Sequence, residues 1–200
     1  MKINDKNTNP VHLVLGMEDQ IDPILFIYLQ VNHLKQILRQ GWPQKGRDVP
    51  VDKCESVADH VYGMCMLALL IISKHSLNLE LLKVFIMILV HDVVEVYAGD
   101  TRPGEMSKEE KQKRERAAIY KIFGDSPWLK FCITYWEEYE EQKTAEAQFV
   151  KELDFSERGI QSFIYGKQHN RDLSVFLSGA ESKLKNPVLL RIIDDLRRCQ

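Results

Sequence analysis

The adjacent residues His91 and Asp92 stand inside an apolar stretch, where neither has an obvious packing role. The pair follows LKVFIMILV and precedes VVEVYAGD, so the pattern places it in or beside a buried helix. Charged side chains are rarely buried unless they are paired or bind a metal. The pair therefore predicts two ligands of a metal ion in a pocket that contains little water.

Two further metal ligands are predicted elsewhere in the chain, because a divalent ion usually takes about four or more. His60, in ESVADHVYGM, is expected to face inwards because apolar residues surround it at helical spacing. Asp154, in AQFVKELDFSERG, borders another inner helix face. Two histidines and two aspartates form a mixed nitrogen and oxygen set, which suits Mn²⁺, Fe²⁺, Co²⁺, Ni²⁺ or Zn²⁺ better than Ca²⁺. Such a set leaves coordination positions open for water and substrate.

Two carboxylates are expected beside this metal. Glu95 lies four residues after His91 and so shares its helix face. A carboxylate beside a metal-bound water can take its proton or return one to a leaving oxygen. Asp100 follows Gly99, a predicted helix end, and would overhang the site from a loop. The alternatives are a surface or capping role for Glu95 and a turn-bracing role for Asp100.

The elements that must position these residues are predicted to be helices. Apolar residues recur mostly at three and four, and no convincing run alternates at two. Capping patterns at Asp22-Pro23, Ser56, Ser107 and Asn186 mark helix starts. Helices are expected over about 22–39, 56–75, 79–98, 107–124, 126–142, 144–163 and beyond, and 186–199. The sequence thus predicts one all-α domain over residues 21–200, after an N-terminal extension over residues 1–20.

Composition limits the functional classes. The 200 residues are 44% hydrophobic and 28% charged, with a formal net charge of −2, so no surface for a nucleic-acid polymer or a membrane is expected. No segment is expected to reach the roughly 18 to 20 apolar residues that cross a bilayer. The N-terminus MKINDKNTNP lacks a signal-peptide layout, and the four cysteines are scattered as in a reduced compartment. A cytoplasmic protein is predicted.

Three segments carry a family resemblance. ESVADH, HDVVEVYAGD and FVKELD, in this order and spacing, resemble the HD-domain metal-dependent phosphohydrolases and, among them, the 5'-deoxynucleotidases. The similarity extends from LKQILRQGW to NPVLLRIIDDL. It implies a compact helical HD-domain bundle, one divalent metal ion, a nucleotide substrate and a homodimer. The metal ligands that it implies are His60, His91, Asp92 and Asp154.

The resemblance also implies roles around the metal. It makes Glu95 the catalytic carboxylate and Asp100 a substrate contact. An arginine and a tryptophan that precede the first ligand in the family fall on Arg39 and Trp42, for the phosphate and the nucleotide. Arg47 is a competing phosphate ligand. The alternatives are a helix-end charge for Arg39 and a hydrophobic plug for Trp42.

The expected reaction is hydrolysis of the 5'-phosphate monoester of nucleoside 5'-monophosphates, preferably deoxy, to nucleoside and phosphate. The guanosine tetraphosphate hydrolases of this superfamily resemble one another in an aspartate directly after the corresponding glutamate. Here that position is Val96, which argues against membership of that branch. Lys151, one turn before Asp154, is expected to be solvated, with contact to a phosphate as the alternative. Two alternatives stay open: a phosphohydrolase of another small phosphoester, and a catalytically idle HD module that binds a nucleotide or a partner.

Overall fold

The computed structural model of the chain describes residues 16–17, 19–44, 48–100, 106–124 and 126–199. Regular structure in these ranges is helical and includes no β-strand, which confirms the all-α prediction. An isolated antiparallel bridge joins Leu38 to Ser56.

The helices within the described residues follow one another through short connections. The α-helices are α1 (Pro23–Val31), α2 (Val57–Lys74), α3 (Leu81–Val90), α4 (Glu95–Ala98), α5 (Lys108–Phe123), α6 (Lys130–Glu141), α7 (Ala145–His169), α8 (Ser174–Glu181) and α9 (Pro187–Arg198). Short 3-10 helices span Asn32–Lys35, Val51–Lys53 and Pro127–Leu129.

Capping side chains start several helices where the sequence predicts them. Ser56 begins α2 with a capping box, in which its hydroxyl accepts from the backbone N–H of Asp59 and the Asp59 carboxylate accepts in return. Asn186 caps α9 by accepting from the N–H groups of Val188 and Leu189. These bonds fix the first turn of each helix, including the turn of α2 that precedes His60.

Two predicted helices are shorter than the sequence suggests. The helix expected over 22–39 ends at Val31, and after a 3-10 turn the chain becomes extended and pairs with the strand-like segment before α2. The helix expected over 79–98 is divided at residues 91–94. There the N–H of Val93 bonds the carbonyl of Val90 and that of Val96 bonds Val93, a tighter pattern than the α-helix. The helix α8 was not predicted.

The core consists of two large groups of buried apolar residues and a small one around Trp42 and Tyr165. One large group joins α1, α4, α5 and α6 with the start of α2, and it includes Val57 and Ile119, both fully buried. The other joins α2, α3, α7, α8 and α9 and includes Met64 and Leu153. His60 lies on α2 and His91 follows α3, and each has members of both large groups among its chain neighbours. Both histidines therefore lie where the two large groups meet.

The helix α2 departs from one expectation. Its 18 residues have a mean hydropathy of 1.4, so by length and composition alone it could cross a membrane. The prediction that no segment is long and apolar enough is therefore wrong for Val57–Lys74. Its inward face packs into the core and carries His60, and the core helix of a globular domain can meet the same criterion.

Candidate metal centre

Four side chains from three parts of the fold meet in the interior. His60 comes from α2, Asp154 from α7, and His91 and Asp92 from the tight turn after α3. The Nε2 atom of His60 lies 3.4 Å from Oδ1 of Asp154, and Nε2 of His91 lies 3.2 Å from Oδ2 of Asp92. Ligand atoms of His60, His91 and Asp92 all lie within 4.8 Å of one another. The residues predicted as ligands are thus brought together.

Both histidine rings are oriented by a bond on the opposite edge. Nδ1 of His60 lies 2.5 Å from Oε2 of Glu157, and Nδ1 of His91 lies 2.8 Å from the carbonyl oxygen of Ile88. Each Nε2 atom is buried without a hydrogen-bond partner among the described residues. A ring that donates from one nitrogen offers a lone pair on the other. Two such nitrogens beside two carboxylates fit a divalent ion.

The two aspartates are held as anions. Burial would raise the pKa of Asp92, but His91 and Arg39 outweigh it and lower that pKa below its ordinary value. Burial opposes ionisation of Asp154 in the same way, yet the close contact with His60 leaves its pKa well below the usual range. Deprotonated carboxylates are the form that binds a metal.

His60 is affected by opposing influences. Burial and the nearby Arg39 disfavour its cation, whereas its contacts with Asp154 and Glu157 favour it and raise its pKa to about 9. The two acids thus favour a positive charge at this position. A bound cation would take over that balancing role and release the proton.

The two other predicted carboxylates border the same cleft. Glu95 is 9% exposed, and its Oε2 atom has no partner among the described residues. Burial, with the charges of Asp92 and Asp100, raises its pKa well above the ordinary value. Asp100 accepts a hydrogen bond of 2.5 Å from the backbone N–H of Gln40, and burial raises its pKa. Both side chains line the same cleft as His91, Asp92 and Asp154, three of the four predicted ligands.

Arg39 lies inside the cluster. Its Nη1 atom donates to Oδ2 of Asp92 at 3.2 Å, and its side chain is 12% exposed. Burial alone would lower the pKa of Arg39, but Asp92, Asp154 and Glu95 outweigh it and raise that pKa. Arg39 lies outside the helices of the described residues, so it is not a charge at a helix end. Its planar donor fork lies beside the metal ligands.

Trp42 borders the cleft but is only 2% exposed. Its Nε1 atom donates to Oε1 of Glu55 at 2.8 Å, and its ring packs against Tyr165 and Phe176 at centroid distances of 5.2 and 4.9 Å. This environment shows a packing role directly, and its contact with a substrate stays a prediction. Arg47 lies outside the described residues.

The cleft has a volume of about 320 Å³ and is lined by both acidic and basic side chains. Among the basic ones, Lys151 and Arg158 on α7 lie on either side of Asp154 in the chain. Nζ of Lys151 donates to Tyr139 Oη at 2.8 Å and lies 3.6 Å from Oδ2 of Asp154. The Lys151 side chain is 37% exposed, so it is partly solvated and also contacts the site.

Two buried acids behind His60 were missed by the sequence analysis. Glu157 is 8% exposed and contacts His60, and Glu55, also 8% exposed, bonds Trp42. Burial, followed by the charge of Glu157, raises the pKa of Glu55 to about 7. One signal was available: Glu157 lies three residues after Asp154 and shares its helix face. Glu55 stands directly before the cap of α2, where no local pattern indicates a buried acid.

Comparison with known proteins agrees with this geometry. The sequence profile of the HD domain family matches residues 31–191. The chain is 36% identical to 5'-deoxynucleotidase HDDC2 of Xenopus laevis over 82% of this chain and 80% of that protein. It is also 36% identical to 5'-deoxynucleotidase HDDC2 of Danio rerio, over 88% of this chain and 87% of that protein.

A solved structure has the same fold. A hypothetical protein from Pyrococcus furiosus superposes with a TM-score of 0.69 at 30% identity, covering 87% of this chain and 99% of that one. Together with the profile match and the relatives, this similarity shows that the chain belongs to the HD domain family. The resemblance stated from the sequence is confirmed.

Proposed function

We propose that this chain hydrolyses the 5'-phosphate monoester of deoxynucleoside 5'-monophosphates and releases nucleoside and phosphate. The observation that carries the proposal is the pair of buried Nε2 atoms of His60 and His91, which have no hydrogen-bond partner among the described residues and lie beside two carboxylates at a charged cleft. The substrate class rests on relatives that bear the name 5'-deoxynucleotidase. The cleft volume of about 320 Å³ suits a small molecule.

We assign one divalent ion to His60, His91, Asp92 and Asp154. The mixed donors favour Mn²⁺, Fe²⁺, Co²⁺, Ni²⁺ or Zn²⁺, and cellular availability decides among such ions as much as affinity does. An ion in this position supplies Lewis acidity, polarises a phosphoryl oxygen and makes water a stronger acid. The orientation of both histidine rings by their Nδ1 bonds supports this assignment.

Glu95 is proposed as the group that moves the proton. Its carboxyl lines the cleft, is buried, and leaves one oxygen without a partner among the described residues. A carboxyl in this place can accept a proton from the attacking water and pass it to the leaving 5'-oxygen. Asp100 borders the same space and is proposed to accept a hydrogen bond from a substrate hydroxyl.

The phosphate is proposed to lie against the cationic part of the cleft. Arg39 offers a donor fork beside Asp92, and Lys151 approaches Asp154 from α7. Charge-assisted bonds from both would hold the non-reacting phosphate oxygens while the nucleoside extends towards the acidic wall. Trp42, at the cleft border, is kept as a proposed nucleotide contact, and Arg47 as an alternative phosphate ligand.

Several finer assignments belong to the same proposal. The domain is taken as residues 21–200, after an extension over residues 1–20, and the protein as cytoplasmic. Its partners are a nucleotide and a second copy of the chain, without a nucleic-acid polymer or a membrane. Support for the dimer comes from an apolar stripe on the outward face of α2, formed by Tyr62, Met66, Leu69 and Leu70.

The test is phosphate release from a panel of deoxy- and ribonucleoside 5'-monophosphates in the presence of Mn²⁺ or Co²⁺. The proposal predicts release from deoxynucleotides that Glu95→Ala loses. Release only from another phosphoester would indicate a different substrate on the same metal centre. Bound metal without turnover of any phosphoester would indicate the idle, ligand-binding module.

A further inference from the structure

Glu157 and Asp154 contact opposite edges of one imidazole ring. Asp154 approaches Nε2 of His60 at 3.4 Å, and Glu157 approaches Nδ1 at 2.5 Å from one turn further along α7. His60 is fully buried and Glu157 is 8% exposed, so water does not compete freely for either contact. The ring is therefore held between two acids of the same helix.

We propose that Glu157 is the positioning residue of the metal centre. It accepts the Nδ1–H of His60, which leaves the lone pair of Nε2 directed at the ion and fixes the plane of the ring. A carboxylate in this place also makes the imidazole a stronger ligand. The proposal rests on the metal centre assigned above, and adds to it a residue that does not itself touch the ion or the substrate.

Gly63 is the position that gives Glu157 its room. It lies three residues after His60, on the same side of α2. A Cβ atom added at Gly63 would lie 2.7 Å from Oε1 and 3.3 Å from Cδ of Glu157. Glycine is disfavoured inside a helix, so its occurrence here has a local physical reason. Any larger residue would push the carboxylate away from the histidine.

A second reading of these residues is that they hold an ion themselves. Ligand atoms of Glu55, His60 and Glu157 do lie within 4.8 Å of one another. However, Oε1 of Glu55 already accepts from Trp42, and Oε2 of Glu157 is already engaged with Nδ1 of His60. The geometry points to a layer of hydrogen bonds behind the ligand. A stoichiometry of two ions per chain would overturn this assignment.

The first experiment measures Co²⁺ binding by calorimetry for the wild type, Glu157→Gln and Glu157→Ala. We expect Glu157→Ala to weaken Co²⁺ binding on the order of 10- to 100-fold, as for other residues that orient a metal ligand. Glu157→Gln keeps an oxygen that accepts from Nδ1–H, so it should recover most of the affinity. Equal affinity of the wild type and Glu157→Ala would overturn the role of Glu157 but not the assignment of the metal centre. Failure of the wild type to bind Co²⁺ would overturn the metal centre itself.

The second measurement distinguishes ring positioning from a general loss of structure. In the Co²⁺-loaded protein, ring N–H protons of coordinated histidines give strongly shifted NMR signals that exchange with solvent. His60 and His91 should each give one, and the His91 signal is an internal reference because its donor bond goes to the carbonyl of Ile88. Glu157→Ala should lose or broaden the His60 signal alone. Its persistence would contradict the proposal.

Gly63→Ala gives a test that leaves Glu157 and all four ligands unchanged. Alanine is favoured over glycine in a helix, so a loss of Co²⁺ affinity would come from the displaced carboxylate and not from a weaker helix. In the Glu157→Ala background the added methyl has space, so the double variant should bind Co²⁺ no more weakly than Glu157→Ala. Additive losses would contradict the proposed contact. Should Glu157→Ala fail to fold, Gly63→Ala still tests the contact: weaker Co²⁺ binding than in Glu157→Gln is expected, and equal binding would contradict the proposal.

Discussion

The indole N–H of Trp42 donates to Oε1 of Glu55 across 2.8 Å inside the protein. This bond connects the segment after α1 with the residue that precedes the cap of α2. Both side chains are almost fully buried, so neither has water as a substitute partner. The segment that Trp42 holds in place therefore leads directly into α2, the helix that carries the proposed ligand His60.

Replacing Trp42 by phenylalanine should therefore reduce stability. Loss of the donor leaves a buried acceptor unsatisfied, which costs about 1–3 kcal/mol of unfolding free energy. Urea denaturation measures this change. The matched control is Trp128→Phe, since Trp128 is 51% exposed, and its effect should stay within about 0.5 kcal/mol. Unchanged stability together with a raised KM would instead make Trp42 chiefly a substrate contact.

Glu55 should make stability depend on pH. Its pKa in the folded chain is raised to about 7, above the ordinary value of 4.5, so the folded state binds the proton more tightly than the unfolded state. The resulting penalty is absent below the unfolded pKa, grows as pH rises towards 7, and is constant above it. In metal-free protein, Glu55→Gln should therefore stabilise by up to about 3 kcal/mol at pH 8 and change little at pH 4.

The control for this measurement is Glu109→Gln, a change of the same kind at an exposed position on α5. It should shift the unfolding free energy little at either pH. If Glu55→Gln destabilises the chain equally at both pH values, the carboxyl is needed as a hydrogen-bond acceptor and is not a source of charge repulsion.

Asp92 and Glu95 should separate metal binding from turnover. Asp92→Ala removes a proposed ligand and the partner of Arg39, so Co²⁺ binding and phosphate release should disappear together. Glu95→Ala leaves all four ligands in place, so calorimetric Co²⁺ affinity should be retained. Its turnover should fall about 10²- to 10⁴-fold, the usual contribution of a general acid or base. Equal losses of affinity and turnover in Glu95→Ala would remove its assigned role.

Much of this site follows from the sequence, but part of it depends on contacts that no local pattern contains. His91 and Asp92 are visible because they interrupt an apolar stretch, and Ser56 predicts the start of α2 from a pattern four residues long. The contact of Glu157 with His60 joins residues 97 positions apart, so helical periodicity cannot reveal it.

The break between α3 and α4 illustrates the same limit. The sequence VHDVV has no glycine or proline to interrupt a helix, and Gly99 correctly predicts where the helical region ends. The tightened turn at residues 91–94 instead accompanies a set of long-range contacts, among them the bond from Arg39 to Asp92. Tertiary contacts of this kind override local helix preference.

Lys151 should contribute to substrate binding. Its Nζ atom lies beside Asp154 and Tyr139 in the cleft, and a charge-assisted bond to phosphate is worth about 1.5–3 kcal/mol. Lys151→Met should therefore lower kcat/KM for a deoxynucleoside monophosphate roughly 10- to 100-fold. Lys143→Met is the control, because Lys143 is 74% exposed and pairs with Glu141. An unchanged kcat/KM in Lys151→Met would place the phosphate elsewhere.

The outward face of α2 should mediate association of two chains. Tyr62, Met66 and Leu70 follow one another at helical spacing and are 67%, 38% and 63% exposed, a pattern typical of an interaction surface. Light scattering after size exclusion should give the mass of a dimer for the wild type and of a monomer for Leu70→Glu, because the new charge would be buried between the chains. Val175→Glu, at a 67% exposed position on α8, should stay dimeric. A monomeric wild type, or a dimeric Leu70→Glu variant, would exclude this face as the interface.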